Sequence, residues 1–171
     1  MIFTDTNPCH MKQILTIVFS LILSSSYAQT AKLYNPDAVV SAVISEGLVK
    51  AKAANKHLLL QIGGNWCPWC IKFHQFCHDD SEISSLIEKN YVTIKINYSK
   101  ENKNLDELKK LDFPQRFGFP VFVILDSEGK RIHTQNSSYL EEEKGYSKKK
   151  VLEFLKQWTP GALNPNLYID K

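Results

Sequence analysis

Long apolar runs are scarce in this 171-residue chain, and cysteine is scarcer still, at four. The longest predominantly apolar run, Ile14 to Leu23, has ten residues. A bilayer core of about 30 Å needs roughly twenty, so this run is too short for an ordinary membrane span. Charge of one sign is also lacking: 21 Lys and Arg stand against 18 Asp and Glu, a net of +3. That balance gives no case for nucleic acid or an anionic membrane surface as partner. The pair Gly63-Gly64 is not followed by the G-x-x-x-x-G-K-[ST] pattern of a phosphate loop. No internal repeat, low-complexity domain, carboxylate pair or Ser/His/Asp arrangement stands out. What is present is 43% hydrophobic and 23% charged residues, the composition of one globular domain with a real core.

The apolar run near the N-terminus has the form of an export signal. Lys12 supplies a positive charge, Ile14 to Leu23 the apolar core, and Ser24-Ser25-Ser26-Tyr27-Ala28 small residues before a cut after Ala28. Met11 is a second candidate start. The competing reading is a retained membrane anchor. The division expected is 1–28 cleaved, 29–55 an N-terminal extension with a helix, 56–158 the main domain and 159–171 an irregular tail. An exported protein meets an oxidising compartment, the periplasm or the exterior, where disulfides persist. The cut removes Cys9 and leaves Cys67, Cys70 and Cys77. Three cysteines within one short segment do not staple distant parts of a fold. They read as a redox pair plus one more.

Periodicity predicts the elements. Residues 29–35 read as a short leader. Asn35-Pro36-Asp37 is a helix start, and the helix runs to about Asn55, weakened by Gly47. His57 to Ile62 is a buried strand. A helix from about Cys67 to His78 follows, and another opens at Ser81-Glu82. Tyr91 to Asn97 alternates and is a strand. Asn104 to Leu111 is helical, with Leu105, Leu108 and Leu111 as its apolar positions. Pro120 to Leu125 is a strand, and Lys130 to Thr134 returns as its hairpin partner. Gln135 to Tyr146 reads as a polar loop, and Ser147 to Trp158 as the last helix. This order predicts an α/β three-layer sandwich: a central mixed sheet, parallel strands first and a hairpin at the end, flanked by helices.

Trp66-Cys67-Pro68-Trp69-Cys70 lies where the first strand passes into a helix. Two cysteines two residues apart can exchange a pair of thiols for a disulfide. A helix N-terminus carries unpaired N–H groups and about half a positive charge, which stabilise a thiolate. The thiolate is the attacking species in disulfide exchange, so this placement favours reactivity. Pro68 fits the first turn, where its missing N–H costs nothing.

With these residues in view, the chain resembles the thioredoxin superfamily over roughly Lys56 to Trp158, near its exported, disulfide-isomerase-like members. The resemblance rests on the apolar strand, then Trp66-Cys67-Pro68-Trp69-Cys70, then Lys95-Ile96-Asn97, then Gly118-Phe119-Pro120 before the hairpin. A Cys-x-x-Cys alone is weak, because zinc sites share it. The resemblance implies that Cys67 is the exposed nucleophile and Cys70 the resolving thiol. It implies that Pro120 is the cis-proline beside them and that Phe119 presents its backbone to a bound peptide; otherwise Pro120 is an ordinary strand-start proline. It implies protein thiols and disulfides as substrates, an upstream electron donor or acceptor, and a part in cell redox homeostasis. No cofactor and no metal is expected.

One position departs from that pattern. Many thioredoxins carry a buried acid six residues before the nucleophile, where this chain has Gln61, which takes no proton at neutral pH. Lys95 matches the family's nearby lysine without its carboxylate partner. Gln61 and Lys95 therefore define a modified proton-transfer environment. Pro68 and Trp69 bring no charge and no histidine between the cysteines, which leans the reading toward a reductase or isomerase.

Other residues carry competing readings. Trp66 and Trp69, with Pro68, form an apolar platform for clients, or Trp66 packs on the sheet end. Cys77 lies on the side of Phe73 and reads as a buried small hydrophobe, with a third redox thiol as the alternative. Cys67, Cys70, His74, Cys77 and His78 share one helical stripe, but from Cys67 to His78 the helix rises about 16 Å, too far for one ion. The rival functions are a thioredoxin-like module that binds thiol proteins without turnover, and a metal carrier using the Cys and His of this helix.

Overall fold

Continuous burial in two central strands builds a sheet with both faces covered. In the computed structural model, residues 32–169 are described. The expected export signal and cleavage point lie outside them, as do residues 29–31 and the last two residues. Strand β1 (His57–Gly63) is buried at all seven positions and β3 (Val121–Leu125) at all five. Such continuous burial requires helices on both sides.

Four strands form the sheet in the order β2-β1-β3-β4, with β2 Tyr91–Asn97 and β4 Arg131–Asn136. β1 and β2 run parallel, with Gln61 opposite Lys95. β3 is antiparallel to both β1 and β4. The mixed sheet is the one expected. Strand period 2 sorts the core into two layers. Leu58, Leu60, Ile62, Val121, Val123 and Leu125 pack with Val40 and Ala51 of α1 (Val40–Ala54) and with Leu108 of α4 (Leu105–Lys110). Leu59, Phe122 and Ile124 meet Phe73 and Cys77 of α2 (Pro68–Asp79), Ile83 of α3 (Ser81–Asn90) and Val151 and Leu155 of α5 (Lys148–Gln157).

Gly47 does not break α1. A β-carbon there would sit 2.4 Å from Ile94 Cδ1, so its absence lets the helix lie close to the sheet. Asp80 caps α3 by accepting from the N–H groups of Glu82 and Ile83.

Four expectations need correction. α1 starts at Val40 rather than near Asn35, because Asn35 Oδ1 accepts from Asp37 N at 3.0 Å and holds this segment in a turn. Leu105 is 53% exposed, so only Leu108 and Leu111 of its trio are buried. The polar loop is ordered structure: after β4 come a 3₁₀ turn at Ser137–Leu140 and a small hairpin of β5 (Glu141–Glu142) and β6 (Gly145–Tyr146). Leu140 and Tyr146 from this stretch are buried in the core, which fixes a segment whose other residues are mostly polar. The tail is not wholly irregular, since α6 spans Asn166–Ile169. A 3₁₀ turn at Pro114–Phe117 had no periodic signal.

Candidate active site

The sheet aims the end of β1 at the start of α2, and the two cysteines sit at that junction. Cys67 is the N-cap of α2, Pro68 follows at the first helical position, and Cys70 lies one turn in. Cys67 and Cys70 are joined as a disulfide. The Cys70 N–H donates to Cys67 Sγ at 3.1 Å. An N-cap that is a sulfur puts that atom where the helix presents unpaired donors and the positive end of its dipole.

Gly63 makes the junction possible. A β-carbon on it would lie 2.4 Å from Cys70 Sγ and 3.0 Å from the Tyr34 hydroxyl. Any side chain there would push into the sulfur.

The peptide bond between Phe119 and Pro120 is cis, as the resemblance implied. Phe119 packs against the cluster formed by Tyr34, Cys67 and Cys70, together with Leu33 and Trp69. This packing corrects one expectation. Cys67 is not exposed: only 3% of it reaches solvent, and Cys70 is fully buried.

The two tryptophans separate in role. Trp66 is 54% exposed, donates through Nε1 to the Tyr98 carbonyl at 2.6 Å, and meets Phe119 edge-on at 5.5 Å. Tyr98 in turn lies 4.7 Å from Phe119. These three rings form an aromatic ledge, and beside it a cleft of about 660 Å³ opens between Trp66, Tyr98 and Asn65. Trp69 is turned inward. It meets Tyr146 edge-on at 5.5 Å, and the Lys72 ammonium lies 4.5 Å above its ring.

Behind the cysteines, Gln61 is 1% exposed and fully engaged. Its Oε1 accepts from Lys95 Nζ, and its Nε2 donates to the Cys70 carbonyl at 3.0 Å and to the Tyr34 hydroxyl at 2.7 Å. Burial pulls the Lys95 pKa down to about 8, with Cys77 pulling the other way. Burial pushes the Cys77 thiol up to about 12. Cys77 and Lys95 share a cleft of about 410 Å³ with His74 and His78. The His74 pKa is lowered by partial burial and then by Lys95 and His78. The two histidine rings stack at 6.3 Å. Among the described residues no group of three or more His, Cys, Asp or Glu side chains could hold a metal ion.

Tyr34 is the residue that sequence reasoning missed. It fell in the supposed leader, yet it is fully buried. An isolated aromatic in a non-periodic stretch gives no pattern signal. The only clue is its size beside Leu33 in an otherwise polar segment.

The family described as Thioredox_DsbH, a protein of unknown function (DUF255), matches residues 23–160. The chain belongs to this family. It is a member of the thioredoxin superfamily and has the thioredoxin fold. A disulfide bond reductase, DsbH, from Chlamydia pneumoniae is 27% identical over 94 residues, covering 52% of this chain. The chain spans little more than half of that relative, 57% of its length. A disulphide isomerase from Xylella fastidiosa Temecula1 superposes with a TM-score of 0.65 at 24% identity, over 73% of this chain and 95% of that one. The oxidised C-terminal domain of DsbD from Neisseria meningitidis superposes with a TM-score of 0.51 at 19% identity, over 70% of this chain and 96% of that one. These two structural likenesses show the fold.

Proposed function

We propose that this Thioredox_DsbH member exchanges disulfides with protein clients through Cys67 and Cys70, as a reductase or isomerase rather than an oxidant. One observation carries the reading: Cys67 is the N-cap of α2, bonded to Cys70, with the Cys70 N–H on its sulfur.

In the reduced protein the Cys67 thiolate attacks a client disulfide. A Cys67–client disulfide forms and one client thiolate leaves. Cys70, as thiolate, then attacks Cys67 Sγ. The intramolecular disulfide forms and the second client thiolate leaves. Two electrons pass to the client, and an upstream dithiol donor returns two to the pair. The ledge of Trp66 and Phe119, with the cis Pro120 beside it, offers apolar surface for an unfolded client. Pro68 and Trp69 place no charge near the sulfurs, which supports the reductive lean, as does the likeness to the Chlamydia disulfide bond reductase.

The export reading belongs to the same proposal. The run Ile14 to Leu23 suits a cleaved signal, and a dithiol–disulfide pair suits an oxidising compartment. The division at residues 28, 55 and 158 goes with it. Among the described residues no helix is long and apolar enough to cross a membrane.

The test is insulin reduction driven by dithiothreitol. Wild type accelerates it and Cys67→Ser does not. Gln61, which cannot act as an acid, favours a second reading as a binding module. Covalent capture of clients that persists with Cys70 intact selects that reading. The equilibrium potential against glutathione sets the direction, and a value near −120 mV refutes the reductive lean.

A further inference from the structure

Gln61 cannot be turned over in its site. Lys95 Nζ only donates, so it requires Oε1; the Cys70 carbonyl only accepts, so it requires Nε2. The same Nε2 donates to the Tyr34 hydroxyl. That hydroxyl oxygen is therefore spent as an acceptor, and its own proton is left to give. Among the described residues no hydrogen bond uses it. A buried donor without an acceptor is costly, and such a group marks a place where an acceptor arrives.

One acceptor arrives on reduction. The Tyr34 hydroxyl and Cys70 Sγ both close in on the single point above Gly63 where a β-carbon would sit. In the disulfide that sulfur is a poor acceptor. As a thiolate it is a strong one.

The phenol is also held there deliberately. The Asn65 side chain, two residues before Cys67, clamps the Tyr34 backbone from both sides: Oδ1 accepts from Tyr34 N at 3.0 Å, and Nδ2 donates to Tyr34 O at 2.7 Å. The loop that carries the cysteines thus fixes the residue that faces them.

We propose that the Tyr34 O–H donates a hydrogen bond to the Cys70 thiolate, and that the chain Lys95, Gln61, Tyr34 polarises this donor in place of a buried carboxylate. The inference rests on the dithiol reading above. The lysine charge draws on the Gln61 carbonyl, the amide N–H becomes a stronger donor, and the phenol that accepts it becomes a stronger donor in turn. No proton changes owner along this chain. Burial holds the phenol pKa well above its ordinary value, so Tyr34 stays protonated throughout. Its role is to favour the ionised form of the sulfur that must attack Cys67.

The experiment separates the two exchange steps. Reduced protein, with Cys9→Ser and Cys77→Ala to leave two thiols, is mixed with 5,5′-dithiobis(2-nitrobenzoate). Cys67 attack releases one thionitrobenzoate and leaves the other on Cys67. Cys70 attack releases the second and forms the Cys67–Cys70 bond. In Tyr34→Phe the second release slows about tenfold at pH 7 and its pH midpoint rises by about one unit, while the first release changes less than twofold. An unchanged second release and midpoint overturns the proposal, and so does an equal slowing of both steps. If Tyr34→Phe fails to fold, 3-fluorotyrosine at position 34 keeps the shape and acidifies the hydroxyl. It moves the second midpoint down, and no movement overturns the proposal. A wild type with no second release refutes the dithiol reading itself. An active wild type matched by Tyr34→Phe refutes only the part given to Tyr34.

Discussion

Lys95 gives a hydrogen bond to Gln61 across the β1–β2 ladder, where the two stand directly opposite each other in register. An amide holds the ammonium in place but cannot neutralise it. Burial therefore dominates and brings the pKa down to about 8 from 10.5. The charged form is the one penalised, so the unfolded chain binds the proton more tightly than the fold does. Stability from this group then rises with pH between about 8 and 10.5 and is lowest below 8.

For Lys95→Met we expect the unfolding free energy of the oxidised wild type, minus that of the variant, to increase across this window. The rise is on the order of 3 kcal/mol. Taking the difference cancels the opposing titration of Cys77 and the tyrosines, which both proteins share. Urea midpoints at four or five pH values check it. A flat difference would show that Lys95 keeps an ordinary pKa.

Cys77 faces the same cleft as Lys95 and behaves differently from the disulfide-bonded Cys67 and Cys70. Burial pushes its thiol up to about 12, so almost none is thiolate at neutral pH. In the oxidised, folded protein, iodoacetamide at pH 7.5 should leave Cys77 unlabelled for hours and label it within minutes once urea unfolds the chain. Cys77→Ala should keep most of the exchange activity and lose roughly 1 kcal/mol of stability from the vacated volume. Rapid labelling of the native state would identify a third reactive thiol instead.

Strands β1 and β3 were legible because covered strands leave continuous apolar runs, and α2 because its N-terminus carries its own chemistry. Cys67, Cys70 and Pro120 could be placed from local spacing. Tyr34 could not, because its partners Gln61 and Asn65 are about thirty residues away and its own neighbours show no period. Leu140 and Tyr146 failed for a related reason: two core residues in a mostly polar stretch look like a loop until the tertiary fold buries them. The burial of Cys67 was also invisible. It depends on Phe119, which lies far along the chain from the cysteines and reaches them because β3, which it precedes, pairs with β1.

Tyr146 ties the unexpected hairpin to α2. Its hydroxyl donates to the Trp69 carbonyl at 3.2 Å, and its ring meets Phe73 at 5.0 Å as well as Trp69. Tyr146→Phe removes only the hydrogen bond and should cost about 0.5–1.5 kcal/mol. Tyr146→Ala empties a core site and should cost about 3–5 kcal/mol. Thermal unfolding of the oxidised proteins measures both. Equal losses for the two variants would mean that ring packing contributes nothing.

Phe119 both covers the cysteines and forms the ledge with Trp66, so one substitution should push two readouts apart. Removing the ring in Phe119→Ala opens the packing over the Tyr34, Cys67 and Cys70 cluster. Alkylation of reduced Cys67 by a small reagent should then speed up several-fold, since the reagent no longer has to pass a side chain that leaves only 3% of the residue in contact with solvent. Reduction of a protein disulfide should slow in the same variant, through a higher KM, because the client loses apolar contact. Stopped-flow alkylation and insulin turnover on the same preparation decide the matter. If both rates rise, Phe119 is only a lid and the client binds elsewhere. If both fall, the ring is needed to hold Cys67 in its N-cap position, and the ledge has no separate part in client binding.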